Sequence, residues 1–310
     1  MSHDAAESGT SGPSPAPVPG PISAKSFGAM LLLALMWGLS IPVTKLGLIT
    51  MPPLTLTAIR FAIAVPLMMF LVIGRSRLPW RALPAVAGLG ILGIGIGQVT
   101  QTFGVAETSA SVGTIISATI PMFIVFFAAL RLKQPISRLQ LIGVVAAFVG
   151  IILVASGSRG ETGMSKTTSN GPLWLLVSAV AVAFYFVWSV ELARQYGTIV
   201  TAAWSTLFGF IALLPWATWE AYHTPFQITG QALGAATYLG LVVTVAGLFL
   251  WLNILRDVPA RIAASIQYLQ PVFGIVASAM IFGDRIGPQF IVGVGLVLAG
   301  LALTMRTRGR

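Results

Sequence analysis

The chain is 310 residues long, 56% hydrophobic and 8% charged, with a mean hydropathy of +0.91 and a net charge of +10. Soluble domains carry about 25% charged residues, so a pair of ordinary water-soluble cores is excluded and membrane lipid is the expected surrounding. Cysteine is absent and histidine is limited to His3 and His223, which removes disulfides, thiolate chemistry and imidazole metal clusters.

Residues 1–24 read as a disordered cytoplasmic tail, rich in Pro, Ser, Gly and Ala and without the charged-then-apolar order of a secretory signal. Ten apolar runs of membrane-crossing length follow, at 25–47, 54–74, 81–104, 110–131, 136–157, 171–191, 199–220, 231–252, 261–282 and 288–305. Connections such as Pro52-Pro53 and Gln134-Pro135 are short enough for antiparallel hairpins and leave no room for a soluble domain. With both termini in the cytoplasm, thirteen Lys and Arg residues fall inside, and only Arg159, Lys166 and Arg285 fall in outside loops. This positive charge is a topology signal, and no nucleic-acid partner is expected. Lys45 and Arg60 lie near the outer ends of their spans, where snorkelling to the headgroups is expected.

Residues 88–153 can be laid on 238–303 without a gap, at an offset of 150, and the matches fall where the backbone is special. Pro121 meets Pro271, Gly90 meets Gly240, Gly97 meets Gly247, Gly143 meets Gly293 and Gly150 meets Gly300. Upstream, Arg60-Phe61 through Pro66 resembles Gly209-Phe210 through Pro215. A repeat with five crossings enters the membrane from the opposite side the second time. The expected fold is therefore an all-α polytopic membrane protein with ten transmembrane helices as two inverted five-helix repeats. The first repeat is 25–157, an outside loop 158–170, the second repeat 171–305, and 306–310 a basic cytoplasmic tail.

The pattern resembles the drug/metabolite transporter superfamily, in particular its EamA family, over residues 25 to 305. The likeness is carried by Trp37-Gly38, Arg60-Phe61, and the spacing of Ala110, Pro121 and Gly143 repeated at Ala260, Pro271 and Gly293. Within that family, length, tail and aromatic content are similar to YddG-type exporters of aromatic amino acids. The resemblance implies transport and its outward direction. The acidic residue that the family carries after the fourth and ninth spans is Asp284 in the second copy and Gln134 in the first.

None of the eight acidic residues falls mid-span, and Glu191, at the end of span six, is read as a solvated end. A proton-coupled cation antiporter needs a membrane carboxylate, and a phosphate carrier needs fixed cations in its cavity. Their absence from the sequence pattern favours a neutral or zwitterionic substrate such as an amino acid. No HExxH, Ser–His or paired-aspartate arrangement is present, so no enzyme and no cofactor are expected.

Polar residues inside spans are costly in lipid and are the candidate substrate contacts. Gln98 and Gln101 share a face of span three, with Thr102 beside them, and Ser40 follows Trp37 in span one. Gln267, Tyr268 and Gln270 precede Pro271, while Thr114, Ser117 and Thr119 precede Pro121. Proline frees a carbonyl, so these residues are expected to line locally opened helices. Interhelical hydrogen bonding accounts for the glutamines equally well. Trp37, Tyr185, Trp188 and Trp251 lie inside spans and can stack on an aromatic substrate or fill the core, whereas Trp80 and Trp219 read as interface anchors. The function expected is export of aromatic or hydrophobic amino acids or similar neutral metabolites by alternating access across a bacterial inner membrane. A carrier of other neutral metabolites or drugs, and a non-transporting scaffold, remain the alternatives.

Overall fold

The computed structural model describes residues 23–75, 78–132, 137–157, 167–168, 170–258 and 268–304. All regular structure among them is helical. The first span, Ala24–Gly47, starts behind Ser23, whose hydroxyl caps the Ser26 N–H. It is two helices, α1 (Ala24–Gly38) and α2 (Ser40–Gly47), separated at Leu39. Pro42 has no N–H to give the Gly38 carbonyl, so the helix re-initiates there. The second span is α3 (Pro53–Phe70), with Pro53 in its first turn, where a missing N–H costs nothing.

The third span, Trp80–Ala106, opens on one 3₁₀ turn and continues as α4 (Leu83–Leu89), a π-helical segment over Gly90–Ile96, and α5 (Gly97–Ala106). The fourth is α6 (Ala110–Ser117) and α7 (Ile120–Leu132), broken at Ala118-Thr119 as Pro121 requires, because proline leaves the Ser117 carbonyl without its donor. Next come α8 (Arg138–Gly157), α9 (Gly171–Tyr196) and α10 (Thr198–His223). The reversal between the last two is a single residue, Gly197, at φ +90°, a conformation that side chains rarely tolerate. The following span, Gly230–Arg256, comprises α11 (Gly230–Thr237), a second π segment over Tyr238–Ala246, and α12 (Gly247–Asp257).

Eight described helical stretches are long and apolar enough to cross a membrane. The expected ninth and tenth spans are shorter: α13 (Leu269–Phe282) has 14 residues and α14 (Pro288–Thr304) has 17. Residues 261–267, the start of the expected ninth span, lie outside the described residues.

Close packing falls on the glycine register. A methyl group placed on Gly150 would sit 2.6 Å from the Gly293 carbonyl oxygen, and one on Gly293 would sit 2.8 Å from the Gly150 oxygen, so α8 and α14 meet backbone to backbone. Further along the same seam Gly300 lies on the Gly143 carbonyl. Gly240 of the second π segment lies on the Arg60 carbonyl of α3, and Gly90 of the first lies on α10 at Ser205 and Gly209. In lipid, where apolar surfaces gain little by meeting, small residues that let backbones touch are what dispersion needs.

Candidate functional site

The second π segment collects polar and aromatic side chains from the first and second spans. In a π helix the bond skips to i−5, and Thr244 follows that pattern with its side chain, donating to the Leu239 carbonyl at 2.8 Å. Its oxygen lone pairs are then turned to α3, where Arg60 donates to it from Nε at 3.2 Å and from Nη2 at 3.1 Å. The third nitrogen of the same guanidinium, Nη1, donates to Gln98 Oε1 of α5 at 2.7 Å. Arg60 thus ties the second, third and eighth spans together about 10 Å inside the start of α3, at 1.5 Å of rise per residue.

This overturns the expectation that Arg60 snorkels. Its head group is held by neutral acceptors within the bundle, and its side chain is partly buried. Lys45 does not snorkel either: it is 6% exposed, and its ammonium donates to the carbonyls of Val105 (2.9 Å), Ala106 (3.1 Å) and Thr108 (2.6 Å). Those are carbonyls in the last turn of α5 and just beyond its end, where a cation is favoured by the helix dipole. In both cases the cationic head group is satisfied by oxygen acceptors inside the bundle.

Trp37 reaches the same π segment. Its indole Nε1 donates to the Val243 carbonyl at 3.1 Å, one residue from Thr244, and its ring lies 6.1 Å from that of Trp251. Tyr238 Oη, at the start of the segment, donates to the Met36 carbonyl at 2.9 Å. Gln270 is brought to the other side of α1, since a methyl group on Gly38 would lie 2.7 Å from the Gln270 carbonyl oxygen. Thr102 bonds Thr57 of α3 at 2.9 Å, which anchors α5 beside Gln98.

Trp37, Gln98 and Trp251 are therefore gathered around or beside one segment, and Gln270 lies against α1 at Gly38, but other expected contacts are not brought there. Tyr185 packs its Cβ against Gly93 of the first π segment. Trp188 stacks on Phe184 at 4.5 Å and lies under the Arg131 guanidinium at 5.5 Å, in a separate aromatic cluster with Phe127. Glu191 is not simply a solvated end, because Arg131 pairs with it at 2.6 Å, the one ion pair among the described residues. Thr119 is wholly buried and bonds the Ile116 carbonyl at 2.6 Å, closing the helix break instead of facing a cavity. Ser117 lies beside that break and Ser40 at the break of the first span, where its carbonyl accepts from Thr44. Gln101 is half-buried and makes no hydrogen bond among the described residues. Tyr268 and Pro271 open α13, and Gln267 lies outside the described residues.

Sequence reasoning missed Thr244 and misplaced Arg60. A signal existed for the second: Arg60 sits eight residues into α3, too deep for a helix-end cation. For Thr244 there was none, because its role depends on the π geometry.

Helices of this length and hydropathy, with charged side chains satisfied inside the bundle, define a multi-pass helical membrane protein. Residues 25–156 and 169–306 each match the EamA-like transporter family, and the chain belongs to that family. It is similar to an uncharacterized transporter of Archaeoglobus fulgidus, 25% identical over 92% of this chain and 100% of the relative. It is also similar to the uncharacterized inner membrane transporter YedA of Escherichia coli, 26% identical over 89% of each, and to the uncharacterized transporter YetK of Bacillus subtilis, 23% identical over 91% of this chain and 88% of YetK. A solved crystal structure shares the fold with a TM-score of 0.62 over 91% of this chain and 96% of its own, at 18% identity.

Proposed function

We propose that the chain is an alternating-access transporter of ten spans in two inverted repeats, exporting aromatic or hydrophobic amino acids or similar neutral metabolites across a bacterial inner membrane, with both termini in the cytoplasm. The observation that carries the reading is the set of contacts between the two halves, which come in exchanged pairs. At the offset of 150, Gly143 corresponds to Gly293 and Gly150 to Gly300, and it is Gly150 that touches Gly293 and Gly143 that touches Gly300. Likewise Arg60 touches Gly240, and Gly209, its counterpart in the upstream alignment at an offset of 149, touches Gly90. Contacts that map onto each other when the halves are swapped are the mark of a two-fold relation. Two halves so related and oppositely inserted can exchange conformations, which is the means of opening a midplane site to one side and then the other.

Three further observations support it. The family match falls in two segments, one in each half. The two π segments, Gly90–Ile96 and Tyr238–Ala246, occupy corresponding places, each where a neighbouring span crosses. The relatives are named as transporters, one of them of an inner membrane. Cytoplasmic termini follow from the Lys and Arg asymmetry, and outward direction from the likeness to YddG-type exporters.

The test is counterflow in proteoliposomes preloaded with single amino acids, following labelled tryptophan or phenylalanine with and without a proton gradient. Exchange selective for large apolar amino acids is expected. Folded protein that exchanges no amino acid would remove the amino-acid reading.

A further inference from the structure

We infer that Arg60, in its cradle of Gln98 and Thr244, is the anchor for a carboxylate on the transported molecule, so that the substrates are carboxylate-bearing zwitterions or monoanions with an apolar side chain. This rests on the transporter reading above. Arg60 carries a charge into a span, and its bonded partners, an amide oxygen and a hydroxyl, carry none to match it. The described carboxylates are committed elsewhere: Glu107 to Thr168, Glu191 to Arg131, Glu220 to Thr55 and Asp284 to the Ser111 N–H. A guanidinium has five N–H groups, and the three bonds use one each from Nε, Nη1 and Nη2, leaving one on each terminal nitrogen. Those two N–H groups remain to donate to a carboxylate.

Packing alone does not call for this charge. The corresponding seam in the other half joins α10 to the first π segment, where Gly209 stands in the place of Arg60 and Ile94 in the place of Thr244. A methyl group on Gly209 would lie 2.8 Å from the Gly90 carbonyl oxygen and 3.3 Å from Ile94 Cβ, so the same crossing is made there by backbone and apolar atoms, with no charged side chain at the corresponding positions. Gln98 corresponds in turn to Leu248. One half thus carries an arginine, a glutamine and a threonine where the other carries a glycine, an isoleucine and a leucine. A seam that closes without the charge leaves the charge free for another task.

The surroundings set the rest of the ligand. Trp37 binds the residue next to Thr244 and lies against Trp251, which puts one indole on the same π segment as the guanidinium and a second indole beside the first. An anionic head on Arg60 and an apolar or aromatic body along Trp37 fit that juxtaposition. A phosphate dianion does not, since a single cation would leave half its charge unmatched in a medium of low dielectric.

The experiment is counterflow with L-tryptophan, L-phenylalanine, their amides and the deaminated acid indole-3-propionate, on the full chain and on Arg60→Gln and Arg60→Lys. The unaltered chain is expected to prefer each acid over its amide by about tenfold or more, because a buried donor pair left without its acceptor is costly. Arg60→Gln should abolish the preference and Arg60→Lys retain part of it. Because the ligand series is read on the unaltered chain, a variant that fails to fold does not remove the test. Acids and amides exchanged equally well would overturn the carboxylate anchor and leave the transporter reading standing. No exchange of any probe by folded protein would take down both.

Discussion

At the end of the bundle that carries residues 48–52, 107–109 and 224–229, three charged side chains are buried: Lys45 at 6%, Glu220 at 8% and Asp284 at 6% exposure. At the opposite end, which carries Ser23 and Tyr196, the described side chains of Lys25, Arg75, Arg81, Arg138, Glu191, Arg194 and Arg256 are exposed, and Arg131 is half-exposed. The buried three share a rule. Each meets the end of a helix in another span with the sign that the helix dipole favours. Glu220 of α10 accepts from the Thr55 N–H at 2.8 Å at the start of α3, Asp284 accepts from the Ser111 N–H at 2.8 Å at the start of α6, and Lys45 donates at the end of α5. Thr50 adds a bond to Thr229 at 3.0 Å and a carbonyl for the Gln227 N–H. The first of these ends is sealed by backbone groups satisfied across spans, whereas the other is joined among the described residues by Arg131 on Val187 and Glu191. In a carrier, an end closed by such ties is one that must break them to open, so this asymmetry accords with a state shut at the loop end.

Substitutions sharpen that contrast in a graded way, read as unfolding in detergent. Lys45→Met leaves three carbonyls without a donor at a buried site, and a loss of about 3 kcal/mol is expected; a change under about 1 kcal/mol would show that water replaces the ammonium there. Glu220→Ala removes an acceptor shared by the Thr55 N–H and hydroxyl, with an expected loss of about 2 kcal/mol. Asp284→Asn keeps an acceptor for Ser111 but discards its charge, so roughly 1 kcal/mol should be lost; an effect equal to that of Lys45→Met would mean that the two charges act as one unit. The smallest effect belongs to the opposite end. Arg131→Ala breaks a pair whose carboxylate side is 77% exposed, and the change should stay within about 1 kcal/mol and shrink in high salt.

Much of this architecture is legible in the residues themselves. Apolar length marks the helices because lipid leaves the backbone no partner except its own turn. Pro121 marks the break at Ala118-Thr119, since a missing donor has the same consequence wherever the chain goes. The Gly143 and Gly150 register marks where helices touch, because only a missing Cβ admits a facing carbonyl. What the tertiary structure alone decided is how charge is satisfied. Arg60 and Lys45 read alike in sequence, a cation near the end of an apolar run. One turned to a hydroxyl that a π segment had rotated toward it, the other to the end of a helix more than fifty residues away in the chain. Neither choice is local: a long side chain takes the nearest acceptor in space, and which acceptor is nearest is set by the crossing of spans that the sequence lists far apart.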